Sequence, residues 1–212
     1  MLRTGSRRLD LRPDLPDMKP MPTKNPHALE FLATRRSRPA KTLGLPIPDR
    51  DALEDLLTVA ARTPDHGKLE PWRFVVLNNA ACKRLADEVT DYGKSLDIAP
   101  DKIAKMALQF SMAYLVVVVV ASPKPSDKIP QIEQTLSAGA LCLSLLNACL
   151  ASGWGANWLS GWASHDSGFT GPHLGLEAHE TVAGLIHIGT ETATPPERPR
   201  PDVAALTTWV EA

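Results

Sequence analysis

Apolar residues first recur at helical spacing just after Asn25-Pro26. This pair favours a helix start, because Asn caps the first turn and Pro is tolerated at the first helical position. The same spacing predicts a second helix from Asp49 to about Arg62, and two more around residues 85–92 and 101–112. The apolar positions that recur at helical spacing in the four helices are Leu29, Leu32 and Ala33; Leu53, Leu56, Leu57, Ala60 and Ala61; Leu85, Val89 and Tyr92; and Ile103, Met106, Ala107 and Phe110.

Strands are predicted over residues 72–77, 113–121 and 182–189. The run 113–121 holds five consecutive valines and is far shorter than the roughly 20 apolar residues of a membrane span. Because valine is β-branched, we expect this run to form a central strand that is covered on both faces. Residues 153–161 are expected to make a turn and a short strand, and residues 165–176 a short helix.

The segment from Gln134 to His165 contains no charged residue when His is neutral. Its first part, 135–152, is small and apolar on all sides and predicts one helix. Such a helix is typically buried on every side, within one subunit or between two. A membrane span is the weaker interpretation, because Ser and Asn interrupt the helix and no second span accompanies it. We therefore predict a central core helix and a dimer interface.

Composition agrees with a folded core and excludes several classes. The chain has 212 residues, 43% of them hydrophobic, and a net charge of −1. This near-neutral balance gives no electrostatic case for binding nucleic acid, and we predict no membrane partner. Three widely spaced cysteines without a C-x-x-C pair argue against a disulfide framework, and we expect a cytoplasmic location.

Proline marks the two ends of the chain. Five of the 19 prolines lie in the first 26 residues and four lie between 195 and 201. We therefore predict a flexible proline-rich arm over 1–24, one globular domain over 25–190 and an extended C-terminal segment over 191–212. Trp209 and Val210 are expected to be the apolar anchor of that segment on a dimer.

Several kinds of catalytic site lack support. The six histidines form no helical pair with a neighbouring Glu, so we predict no metal site. No Gly-x-Ser-x-Gly elbow points to a serine hydrolase. Cys82 lies beside Lys83 and Arg84 on a helix that we expect at the surface, where an incidental thiol is the simplest interpretation.

The usual nucleotide grips are also missing, but another anion grip is present. There is no Gly-x-Gly-x-x-Gly after a strand and no P-loop lysine. Arg35-Arg36-Ser37 instead offers two guanidinium groups and a hydroxyl within one turn, a set that matches phosphate. Taken alone, the motif is better explained as a basic helix end that complements the helix dipole.

Four segments in order give this motif its context. They are Arg35-Arg36-Ser37, the stretch 61–76 with its Thr-Pro-Asp-His-Gly-Lys and Glu-Pro-Trp parts, Gly-Trp-Gly-Ala-Asn-Trp-Leu-Ser-Gly at 153–161, and the strand 182–190. This series resembles the nitroreductase family of FMN-dependent oxidoreductases, and most of all its small, single-domain bacterial members. The resemblance covers roughly residues 27–192.

The resemblance implies an α+β, three-layer fold: a mostly antiparallel sheet flanked by helices, in an intertwined homodimer around the buried helix. FMN is expected at the dimer interface. Arg35, Arg36 and Ser37 match the phosphate and ribityl grip of the family. Arg62 and His66 match flavin contacts of the second loop, which reach the flavin held mainly by the partner chain. A cation at Arg62 is a candidate to stabilise the reduced, anionic ring.

Two further groups of contacts follow from the same resemblance. Trp158, Leu159 and Ser160 match the segment that lines the isoalloxazine ring, although Trp158 is also a core candidate. A segment proposed to contact the nicotinamide nucleotide matches Ala148, Cys149, Leu150, Ala151, Ser152 and Gly153. The family often completes the phosphate grip with a basic residue after the last strand, and both Arg198 and Arg200 are available for it.

The implied activity is reduction of nitroaromatic- or quinone-like acceptors by NADH or NADPH through the flavin, in a ping-pong sequence. Two departures concern substrate preference: Glu70 replaces a Gln common in relatives, and Leu159 stands where close relatives can carry Arg. A flavin carrier or sensor without turnover, and an interaction protein without flavin, are the alternatives.

Overall fold

A computed structural model describes residues 23–211, so the predicted arm at 1–24 lies almost wholly outside the described residues. The chain divides after Thr34 into two units, which are described separately. In the first, helix α1 spans Pro26–Thr34. Asn25 Oδ1 accepts a hydrogen bond from the Ala28 amide at 3.1 Å, which confirms the predicted cap.

The second unit, from Arg35 onward, is built on a five-stranded sheet. Its strands are β1 (Leu43–Gly44), β2 (Trp72–Asn78), β3 (Leu115–Ala121), β4 (Gly155–Leu159) and β5 (Thr181–Glu191). β2 pairs with β3 and β3 with β5. The other edge of β5 pairs with β4 over residues 185–189 and with β1 over 190–191. Every pairing is antiparallel, as the predicted fold class requires.

β3 is the centre of this sheet, and all seven of its residues are buried. Alternate side chains of a strand point to opposite faces. Accordingly Val116, Val118 and Val120 belong to one apolar cluster, while Val117 and Val119 belong to the other. The prediction of a strand covered on both faces is confirmed.

Helices cover both faces and complete three layers. One layer consists of α3 (Asn79–Ser95), α4 (Pro100–Ser111) and α6 (Ser167–Leu174). The other consists of α2 (Arg50–Ala60) and α5 (Gln131–Ala151). The α+β class with a mostly antiparallel sheet between helices is therefore confirmed.

α5 begins four residues before the predicted Thr135 and is buried along one stripe. That stripe packs against β3 and β5. The opposite side leaves Ile132, Leu136 and Leu143 exposed by 62%, 66% and 44%. By length and composition α5 could also cross a membrane, a test that core helices of soluble proteins pass as well. Within one chain, the helix is thus buried on one side only.

The expectation of a surface thiol at Cys82 is wrong. Cys82 is fully buried on the same stripe of α3 as Leu85, Ala86 and Val89, because these positions recur at helical spacing. Burial raises the pKa of Cys82 to about 11 and the pKa values of Cys142 and Cys149 to about 12. All three thiols are therefore protonated and inert at neutral pH.

Candidate functional site

The arginine-rich segment 35–38 runs beside β4 and the end of β5. The Arg38 amide donates to the Ala156 carbonyl at 2.8 Å. The Arg38 Nε also pairs with Glu191 Oε2 at 2.9 Å. Two anchors on Arg38, one of backbone and one of side chain, therefore fix the segment at this edge of the sheet.

Arg35 is held among like charges with one hydrogen-bond donor unused. Its Nη2 donates to Ser37 Oγ at 3.1 Å, while its Nε is buried and has no hydrogen-bond partner among residues 23–211. Burial lowers the pKa of Arg35, and the charges of Arg200, Arg36 and Arg38 lower it further. A buried unpaired donor and accumulated positive charge are both relieved by a bound anion.

The C-terminal segment comes back to these arginines. The Pro196 carbonyl accepts a hydrogen bond from Arg36 Nε at 3.1 Å. Arg200, which also pairs with Glu197 at 3.2 Å, lies close enough to Arg35 to lower its pKa. Of the two basic residues that the sequence offered, Arg200 is the one that acts on Arg35.

The loop with Arg62 and His66 is shaped by Asp65. The carboxylate of Asp65 accepts hydrogen bonds from the amides of Leu69 at 3.2 Å and Glu70 at 2.8 Å. Gly67, Lys68 and Glu70 all adopt positive φ, at 73°, 53° and 48°. Non-glycine residues in this region cost about 1–3 kcal/mol each and cluster at functional sites.

Polar groups of α5 attach this loop to the helix. Thr63 Oγ1 donates to Ser144 Oγ at 2.9 Å, and Ser137 Oγ donates to the Pro64 carbonyl. His66 Nδ1 lies 2.7 Å from Glu133 Oε2. Arg62 is exposed, and in the part of the chain that the structure describes its side chain makes no hydrogen bond or ion pair.

The segment expected to line the ring lies at the end of β4. Trp158 is 38% exposed, Leu159 is half-buried and Ser160 is exposed. A side chain at Gly184 would collide with the Trp158 indole, so the glycine on β5 makes room for it. This segment lies two residues beyond Ala156, the partner of Arg38. The residues predicted to hold the phosphate (35–37) and those predicted to line the ring (158–160) are therefore neighbours.

The predicted nucleotide segment lies at the end of α5 and in the turn that follows it. Ala148 and Cys149 are buried, Leu150 is half-buried, and Ala151, Ser152 and Gly153 are exposed. Within one chain only the last three present their surface to a ligand. Their place as a contact segment stays a prediction.

Over residues 23–211, no group of three His, Cys, Asp or Glu side chains is placed to hold a metal ion.

The structure also identifies site residues that the sequence analysis missed. They are Asp65, Glu133 and Glu191. The signal for Asp65 was its tendency to cap its own loop, and that for Glu133 was its helical spacing with Ser137 and Ser144. No local signal points to Glu191, which meets Arg38 only through the sheet.

Comparison with known proteins supports the same interpretation. The model described as "Nitroreductase family" matches residues 32–190. The chain is 32% identical over 164 residues to the Escherichia coli K12 protein named "Putative NAD(P)H nitroreductase YdjA", which covers 77% of this chain and 87% of the relative. A nitroreductase-like family protein from Bacillus cereus superposes with a TM-score of 0.74 at 23% identity, covering 91% of this chain and all of the other. A nitroreductase in complex with FMN from Desulfovibrio desulfuricans gives 0.68 at 20% identity, covering 90% and 100%.

Proposed function

Since the chain belongs to the nitroreductase family, we propose that it is an FMN-dependent oxidoreductase that takes electrons from NADH or NADPH. The acceptors are small, electron-poor molecules such as nitroaromatics or quinones. Donor and acceptor use the same pocket in turn, in a ping-pong sequence. The enzyme works in the cytoplasm, without nucleic acid or membrane as a partner.

One observation carries the proposal: the Nε of Arg35 is buried within a group of four arginines and has no hydrogen-bond partner in the described part of the chain. Arg38 is paired with Glu191, and Arg200 is paired with Glu197, but neither carboxylate serves Arg35. A phosphate monoester brings both the acceptor oxygens and the negative charge that this position lacks. The residues present therefore fit the phosphate of FMN.

Each group of residues has a separate task. Arg35, Arg36 and Arg200 hold the phosphate, and Ser37 binds the ribityl chain. The end of β4, with Trp158, Leu159 and Ser160, forms the wall for the isoalloxazine ring. FMN, when bound, supplies the hydride chemistry by accepting a hydride from the donor and passing it to the acceptor.

Arg62 and His66 act on the flavin of the partner subunit. Their loop is attached to α5, and the side chains of Arg62 and His66 are exposed in the single chain. Arg62 places a positive charge beside the ring, where it stabilises the reduced, anionic form. A site divided in this way is complete only in a homodimer.

The exposed side of α5 supports the homodimer. Ile132, Leu136 and Leu143 form a large apolar surface there, and Gly139 has open space in front of its Cα. The C-terminal segment adds Leu206, Trp209 and Val210, which are exposed by 76%, 83% and 92%. Covering such residues is the ordinary driving force for association. Deletion of residues 195–212 should convert the dimer to monomer in light scattering, and an unchanged dimer would remove the role of the segment.

The function is tested by adding NADH or NADPH to the purified, FMN-loaded protein without oxygen. We expect the yellow colour to bleach, and to return when a quinone or nitroaromatic acceptor is added. Parallel lines in double-reciprocal plots would then support the ping-pong sequence. A yellow protein that does not bleach is a flavin carrier or sensor. A colourless protein that takes up no FMN has neither function.

A further inference from the structure

Three polar residues form a stripe along one face of α5, which is otherwise largely apolar. They are Glu133, Ser137 and Ser144, separated by four and seven positions, a spacing that repeats on one side of a helix. Each contacts a different residue of the loop 63–66. We call these three residues the anchor stripe.

The backbone around His66 is already fixed without Glu133. On one side, Pro64 accepts a hydrogen bond from Ser137, and Thr63 is buried against Ser144. On the other side, the Asp65 carboxylate holds the amides of Leu69 and Glu70. The freedom that remains at His66 is rotation of its side chain.

Glu133 removes that freedom. Its Oε2 lies 2.7 Å from His66 Nδ1, and a carboxylate can only accept, so Nδ1 must carry the proton. The pair therefore fixes both the direction of the ring and its tautomer. Nε2, at the other side of the ring, is the nitrogen that stays available to a ligand.

The pair contributes little to folding. Its side chains are exposed by 63% for His66 and 46% for Glu133, and a polar contact between side chains so exposed has a small net effect on stability. It also lies outside both apolar clusters. The main effect of the pair of Glu133 and His66 is therefore to place the His66 side chain.

We propose that Glu133 is a positioning residue of the flavin site, which holds the His66 imidazole through Nδ1 so that Nε2 contacts the flavin of the partner subunit. This assignment rests on the proposed function. Glu133 itself does not touch the flavin. It belongs to the helix that forms the proposed dimer interface, so the element that meets the partner subunit also places His66.

The test measures FMN binding by fluorescence quenching after the flavin has been removed from the purified protein. The variants are Glu133→Gln, His66→Asn and the double variant. Glu54→Gln is the matched control, because Glu54 is an exposed helical glutamate that is paired with Arg50 away from this loop. We expect about fivefold weaker binding for Glu133→Gln, and no additional loss when it is combined with His66→Asn. The control should bind like the unmodified protein.

A second readout separates positioning from a structural role. In ¹⁵N spectra of the histidine rings, His66 should carry its proton on Nδ1 in the unmodified protein and populate both tautomers in Glu133→Gln. The melting temperatures of the two proteins should coincide.

Three outcomes overturn the assignment. One is FMN binding by Glu133→Gln that equals the control. Another is a full additional loss in the double variant, since Glu133 would then act independently of His66. The third is an unmodified protein that binds no FMN, which overturns the proposed function as well, whereas the first two leave that function standing.

Discussion

Arg73, on strand β2, and Arg35, in the segment beside β4, have opposite environments. Arg73 on β2 donates from Nε and Nη2 to the Glu180 carboxylate at 2.8 and 2.6 Å, and its Nη2 also donates to the Gly175 carbonyl at 2.8 Å. Arg35 has one neutral partner, a buried Nε without any, and three arginines nearby. Arg73 has its anionic partner within the chain, whereas Arg35 would gain one from a bound ligand.

The difference separates an arginine that stabilises the fold from one that binds a ligand. The Glu180 side chain is 3% exposed, so its charge requires the Arg73 guanidinium. The hydrogen bonds from Arg73 lower the pKa of Glu180 to about 2. At Arg35 the pKa is lowered instead, because burial and like charges disfavour its cation. The sign of charge around an arginine thus indicates its task.

The largest effect is expected when Arg35 and Arg36 are removed from the proposed phosphate site. Arg35→Ala combined with Arg36→Ala should weaken FMN binding about 100-fold, or about 2.7 kcal/mol, because two charged donors to phosphate are lost. The melting temperature of the flavin-free protein should not fall, since repulsion is relieved. Fluorescence titration and thermal denaturation measure the two quantities. Arg50→Ala, at an exposed pair on α2, is the control, and equal flavin content in both variants would contradict the phosphate assignment.

Removal of Arg73, which pairs with Glu180, should have the opposite effect: it should change the stability of the protein and not its FMN binding. Arg73→Leu leaves the Glu180 carboxylate buried without its cation and should lower the free energy of unfolding by about 2–3 kcal/mol. We expect a smaller loss than for a fully buried pair, because Arg73 itself is 38% exposed. FMN affinity per folded chain should not change. Urea denaturation gives the stability, with Arg50→Ala, in an exposed pair with Glu54, as the control that changes it by less than about 0.5 kcal/mol. Equal losses in the two variants would mean that the pair of Arg73 and Glu180 stabilises the fold no more than an exposed pair does.

A smaller effect distinguishes two arginines of the C-terminal segment. Arg200→Ala should weaken FMN binding roughly tenfold, because Arg200 is the residue of this segment that acts on Arg35. Arg198→Ala, two positions away, should change it by less than about twofold. Side-by-side titrations decide between them. A larger loss at Arg198 would transfer the phosphate contact to that residue.

The last prediction concerns the response of the Glu180 carboxylate to acid. Because the pKa of Glu180 is lowered from 4.5 to about 2 in the folded chain, the unfolded chain binds this proton first. The stabilisation by Glu180 is therefore complete above about pH 4.5 and is lost as the pH falls towards 2. Glu180→Gln should be less stable than the unmodified protein at neutral pH, and the gap in melting temperature should close across this window. A gap that stays constant down to pH 2 would show that charge is not the cause, and Glu54→Gln should show no gap at any pH.

The sequence predicted the elements of the fold well because their signals are local. Leu53, Leu56 and Ala60 repeat at helical spacing and are buried in α2, and the valines of β3 are covered on both faces, as expected. The expectation for Cys82 fails because its charged neighbours on α3 indicate only that their own side of the helix is exposed. Burial of a helical residue depends on its side of the helix, and Cys82 shares the stripe of Leu85.

The site was predictable only in part. Arg35, Arg36 and Ser37 are consecutive, so the sequence shows them together, and the resemblance to a family gave them a role. The contacts that complete the site join residues far apart in the chain. Glu133 meets His66 across 67 positions, and Arg36 meets Pro196 across 160. Such pairs leave no local pattern.

The sequence by itself determined which residues are apolar at which spacing, and therefore the helices and the strands. The three-layer class was implied by the resemblance to a family and not by that spacing. It also determined that a compact cationic motif follows α1. Only the tertiary structure decided that this motif keeps one donor unpaired, while Arg73 finds a carboxylate 107 positions away. The physical reason is that spacing depends on neighbours along the chain. The pairing of a charge depends on what the folded sheet and helices bring within hydrogen-bond distance.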